Sequence, residues 1–90
     1  MDREAQKKWM RTILLGHIEK MIESSRQQLH VRGHDISIIE FLDAMRVEFP
    51  KVEAQWRMTE KGPESSDEYI ALRREVYFEI IDALKRKASN

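Results

Sequence analysis

Cysteine does not occur in the 90 residues, glycine occurs three times and proline twice. The missing thiols exclude a disulfide framework and a thiolate metal site. So little Gly and Pro leaves few places to turn, and they fall at Gly33, Pro50 and Gly62-Pro63. No apolar run approaches the roughly 20 residues a membrane span needs. The opening Met1-Asp2-Arg3-Glu4 has no apolar segment of the kind a secretion signal carries. The expectation is an intracellular chain with no membrane contact. An excess of one charge is also missing: 16 Lys and Arg face 16 Asp and Glu, which argues against general phosphate binding.

What is present is 41% hydrophobic and 36% charged, too apolar for disorder and too charged for a bilayer. The length suits one domain, residues 1–90 with a core from about 5 to 88. A chain this short buries only about 60–65% of its unfolded surface, so a working hydrophobic core is essential.

No stretch alternates with period two, whereas helical spacing recurs throughout. The pattern predicts an all-α fold, a three-helix bundle with short connecting turns. The first helix is expected from about Ala5 to Leu29, with Gly16 inside it. Trp9, Met10, Ile13, Leu14, Leu15, Ile18, Met21 and Ile22 cover more than half its circumference, and Glu19, Lys20, Glu23 and Arg26 fill most of the rest. A stripe of about 100° suffices for packing on one neighbour, so this helix is expected to serve two surfaces.

The second segment opens with Ser37-Ile38-Ile39-Glu40, a capping box. Ile38, Leu42, Met45, Phe49, Val52 and Trp56 follow at spacings of 4, 3, 4, 3 and 4. Pro50 interrupts this stripe and predicts a kink or a restart with proline in the first turn. Trp56 is expected in the core and Trp9 only partly covered.

The third helix carries a second capping box, Ser65-Ser66-Asp67-Glu68, and a basic end at Lys85, Arg86 and Lys87, matching the macrodipole. Its apolar residues form two ridges. Tyr69, Leu72, Val76, Ile80 and Ala83 make one; Ile70, Tyr77, Phe78, Ile81 and Leu84 make the other, with Arg73 and Arg74 between Ile70 and Tyr77. One ridge is expected to pack inward and the other to face a groove.

Chemistry-bearing motifs are sparse. His30 and His34 are four apart, but Gly33 interrupts the helix and no third ligand is near, so no metal site is expected. An EF-hand reading of Gly33 to Glu40 fails because Leu29, Val31 and Gly33 stand where carboxylates are needed. No phosphate-binding loop, nucleophile elbow or zinc-protease motif occurs. His17 on the apolar arc reads as an edge-of-core residue, and Ser24-Ser25 has no base near it in sequence. No catalytic residue and no cofactor are expected. A nucleic-acid surface from Arg3, Lys7, Lys8 and Arg11, with Lys20 on another face, is thin: residues 1–32 hold seven Lys and Arg against four Asp and Glu.

Ser66-Asp67-Glu68-Tyr69 followed by Leu72, Tyr77, Ile80, Leu84 and a basic end resembles the last helix of a KIX domain. Lys51-Val52-Glu53 with Trp56 resembles the K-V-E-x-x-M stretch of that family's second long helix, and Trp9 resembles its opening tryptophan. The resemblance runs from Trp9 to about Lys87. It implies a nuclear interaction module of transcriptional co-activators, of the acetyltransferase or Mediator-tail type. Such a module binds amphipathic helices of disordered acidic-hydrophobic activation domains between its first and third helices. Carried onto this chain, the groove comprises His17, Met21, Ile70, Arg73, Tyr77, Phe78 and Ile81, with Arg74 beside Arg73. A second groove comprises Leu29, Met45 and Phe49.

Departures from the family bear on specificity. Val31-Arg32-Gly33-His34-Asp35 replaces a proline-rich turn, and three extra residues separate Val52 from Asp67-Glu68-Tyr69. Phe78 stands where a tyrosine meets phosphoserine, and Arg73 and Arg74 replace apolar or small residues. Charge attraction between these arginines and acidic activation domains is therefore the expected source of specificity. The expected state is a monomer. The competing reading is a small homodimeric structural or regulatory protein with no co-activator role, assembled through the second ridges.

Overall fold

The computed structural model describes residues 2–62 and 66–89. Four helices follow in order: α1 (Arg3–Val31), α2 (Ile38–Val47), α3 (Phe49–Thr59) and α4 (Asp67–Ser89). The all-α expectation holds, and among the described residues there is no strand. The expected second helix is two helices. Glu48, at φ −85° and ψ 0°, closes α2 by donating its N–H to the Ala44 carbonyl and then heads α3. Pro50 lies in the first turn of α3, where its missing N–H has no intrahelical acceptor to satisfy. The apolar stripe crosses the break intact, with Leu42, Met45, Phe49 and Trp56 all buried.

The helix ends follow local chemistry. Asp2 caps α1 by accepting the Ala5 N–H at 2.8 Å. Gly33 adopts φ +83°, and the chain folds back so that the His34 N–H donates to the Leu29 carbonyl at 2.8 Å. Only glycine takes that left-handed conformation without cost. The Ser37 hydroxyl accepts the Glu40 N–H at 3.1 Å, as the first capping box predicts. At α4 the cap is Ser66, whose hydroxyl accepts the Tyr69 N–H at 3.2 Å. The predicted cap, Ser65, lies outside the described residues, as does Pro63.

Helix α4 is the centre of the bundle, with α1 on one side and α2 and α3 on the other. Both of its ridges are therefore buried. Leu72, Val76 and Ile80 are interior, and so are Ile70, Tyr77 and Ile81. The expectation that one ridge faces a groove is corrected for Ile70 and Ile81, which are fully buried; of that ridge, Tyr77 lines a groove.

Ion pairs run along both flanks of α4. Arg3 and Lys7 reach Glu75, and Lys7 and Arg11 reach Glu79. Positions 3, 7, 11 and 75, 79 rise together, so α1 and α4 run parallel. Arg46 pairs with Asp82 and Asp43 with Lys85, an antiparallel register between α2 and α4. Charges near the surface are screened by salt, and these pairs set the register in which the helices meet. At about 1.5 Å per residue, the 29 residues of α1 account for the whole 44 Å long dimension. No helix of the described residues is long and apolar enough to cross a membrane.

Candidate functional site

The wide apolar arc of α1 separates into two neighbouring ridges, each at i, i+4 spacing. Met10, Leu14, Ile18 and Ile22 are buried against the bundle. Trp9, Ile13, His17 and Met21 form the adjacent ridge and are exposed. Large apolar side chains kept at the surface in a row, rather than singly, are the usual mark of a contact surface.

Beside the second ridge runs a groove of about 280 Å³. Ile13, His17 and Met21 form its α1 wall, Val52 and Gln55 its α3 wall, and Trp56 of α3 with Tyr77 and Arg73 of α4 its floor. The groove exists because α1 and α3 both pack on α4 but make little contact with each other. Its volume falls just below the roughly 300–1,000 Å³ of small-molecule sites. It accommodates one or two side chains of a docked segment.

The floor is aromatic. Trp56 and Tyr77 are 8% and 3% exposed, and the Arg73 guanidinium lies 4.2 Å above the Trp56 ring. Burial holds the Tyr77 hydroxyl above its ordinary pKa, so it remains a protonated donor at neutral pH. The residues that line the groove include one guanidinium and one imidazole but no carboxylate.

Four of the residues expected in the main groove are brought together here: His17, Met21, Arg73 and Tyr77. The others are not. Ile70 and Ile81 are completely buried, because they belong to the ridge that α2 and α3 cover. Phe78 lies on another side of α4, its ring 4.7 Å from Phe49 and beneath the Arg46 guanidinium at 4.8 Å. The second groove is likewise corrected. Met45 and Phe49 are interior, since both lie on the buried stripe, and Phe49 packs on Trp56, Tyr77 and Phe78. Leu29 is half-buried near the end of α1.

The two arginines are not free charges. Arg73 donates to Glu60 at 2.8 Å, and Arg74 is paired with Glu53. Local neutralisation removes most of the long-range attraction expected of them. The candidate nucleic-acid surface shrinks for the same reason, because Arg3, Lys7 and Arg11 are engaged by Glu75 and Glu79. His30 meets Asp35 at 2.6 Å. No group of three metal-ligating side chains is assembled among the described residues.

Sequence reasoning assigned Val52 and Trp56 to the core and passed over Ile13 and Gln55 as groove residues. The available signal was the pair of parallel ridges on α1, of which one bundle contact satisfies only one. No family model, curated protein or solved structure matches the chain.

Proposed function

We propose that this protein is a helix-docking module of the KIX type. Its groove receives an amphipathic helix from a disordered, acidic-hydrophobic activation domain, which folds as it binds. The observation that carries this reading is the groove between α1 and α3: an exposed apolar ridge along one wall, an aromatic floor, and no carboxylate in the lining. Apolar anchors at i, i+3, i+4 and i+7 of a ligand helix suit a channel of this shape. The lining itself places no carboxylate opposite acidic residues of a ligand. Ordering the ligand typically costs about 2–5 kcal/mol, so micromolar affinity is expected. The wall opposite α1 is α3 rather than the last helix, because α4 is buried on both ridges. The reading involves no catalytic step and no cofactor, and a co-activator role carries with it a nuclear location.

An amide-shift NMR titration with an acidic amphipathic activation-domain peptide tests this. Saturating shifts at Ile13, His17, Met21, Val52 and Arg73 are expected. Absence of shifts at millimolar peptide, or shifts confined to α2, would overturn it. Trp9 favours a second reading: it is 52% exposed and lies outside the groove, at the end of the same α1 ridge. Pairing of two copies along that ridge would cover it, and sedimentation equilibrium at about 100 μM separates a dimer from a monomer.

A further inference from the structure

Two polar atoms of the groove residues have no hydrogen-bond partner among the described residues. The side chains of Tyr77 and Trp56 are more than nine-tenths buried. Yet neither the Tyr77 hydroxyl nor the Trp56 indole N–H takes part in a hydrogen bond with any described residue. Neither atom is sealed inside the protein, because among the described residues no fully buried side-chain nitrogen or oxygen lacks a partner. Each polar atom therefore keeps some contact with solvent, and both residues line the groove. The two rings stand edge to face at 5.7 Å. The Arg73 guanidinium carbon lies 4.2 Å from the centre of the indole ring and the group donates to Glu60.

We propose that this floor is a recognition site for a single carboxylate, supplied by an Asp or Glu of the docked helix. The carboxylate accepts hydrogen bonds from the Tyr77 hydroxyl and the Trp56 indole N–H, beside the Arg73 guanidinium. This inference rests on the helix-docking reading and adds to it what selects the ligand. A purely apolar helix would strip water from both donors and return nothing, which is a penalty against binding. A carboxylate is acceptor-only and satisfies two donors at once through its two oxygens. Charge-assisted bonds of this kind are about twice as strong as neutral ones. The residues that line the groove include no carboxylate, and Glu60, outside the lining, accepts from Arg73 at 2.8 Å. Specificity then comes from the floor of the groove rather than from long-range attraction by Arg73 and Arg74.

The test uses 16-residue amphipathic peptides with Leu, Phe and Leu at i, i+4 and i+7 and one Glu, placed at i+3 or at i+8, each compared with its Gln counterpart. Binding is followed on the full chain by amide shifts and by the Trp56 indole N–H resonance, assigned with a Trp9→Phe variant. In at least one of the two registers, the Glu peptide is expected to bind about fivefold to tenfold more tightly than the Gln peptide and to move the indole resonance downfield. Tyr77→Phe, which removes only the hydroxyl, should shrink that preference. If Tyr77→Phe lowers the melting temperature, the Glu and Gln peptides on the unaltered protein decide alone. Equal affinities in both registers, with saturating shifts at Ile13 and Met21, overturn the carboxylate site and leave docking intact. If no peptide shifts any groove resonance, the docking reading falls, and the carboxylate site falls with it.

Discussion

The indole of Trp56 and the phenol ring of Tyr77 meet nearly perpendicular, at 80°, and join α3 to α4 at the base of the groove. One contact thus belongs both to the core and to the candidate site. Edge-to-face pairs add about 0.5–1.5 kcal/mol beyond the area they bury, so the floor is held rigid by the same packing that holds the fold. A rigid floor lowers the cost of ordering a ligand against it.

The two tryptophans should separate cleanly. Trp56→Ala is expected to cost about 3–5 kcal/mol, the range for emptying a large buried aromatic site. Trp9→Ala, at a half-exposed position, should stay within about 0.5 kcal/mol of the unaltered protein. Urea denaturation of both variants checks this, and equal effects would contradict the packing.

Phe78 tests the correction to the groove. Its ring is held between Phe49 and Arg46, away from the groove lining. Phe78→Ala should lower stability by about 1.5–3 kcal/mol. Peptide affinity, measured where the variant is still folded, should not change. A loss of affinity at constant stability would return Phe78 to the binding surface.

Acid should loosen the contact between α1 and α4. Hydrogen bonds from Lys7, and then from Arg3, hold Glu75 below the ordinary carboxylate pKa. Lys7 and then Arg11 do the same for Glu79. A folded-state value below the unfolded one means stability that is present above the ordinary carboxylate pKa of 4.5 and lost as pH falls through the depressed values. Lys7 itself is raised, chiefly by its bond to Glu79. Its contribution is complete below its ordinary value and disappears as pH rises through the raised one. Lys7→Met should flatten both limbs of the melting-temperature profile between pH 2 and 5 and above pH 10. A profile with unchanged slopes would remove these pairs from the stability of the fold.

Gly16 sits in the middle of α1 with open space where a Cβ would stand. Gly16→Ala should therefore stabilise the protein by about 0.5–1 kcal/mol, measured as a higher denaturation midpoint at unchanged slope. Destabilisation would show that the position needs the missing side chain.

Much of the architecture was legible before any coordinates. The Ser37-Ile38-Ile39-Glu40 cap, the restart at Pro50 and the burial of Trp56 against the exposure of Trp9 all follow from local rules: a hydroxyl near free N–H groups, a residue with no N–H, and a regular 4-3-4 stripe. These features depend on neighbours within a few residues, and a sequence states them directly. The excess of apolar surface on α1 was legible in the same way, whereas the placing of His17, Met21, Arg73 and Tyr77 on one surface came from the resemblance to KIX domains and not from spacing.

Which of two similar ridges lies inside is a different kind of question. Ile70, Ile81, Met45 and Phe49 have the same spacing and chemistry whether they line a groove or fill a core. Their burial was decided by α4 becoming the central helix, covered by α1 on one side and by α2 and α3 on the other. The same holds for charge: Arg73 and Arg74 read as free cations until Glu60 and Glu53, distant in sequence, were brought beside them. Helical periodicity sets which side chains share a face. It does not say which face another helix will cover, because that depends on the packing of all four helices at once.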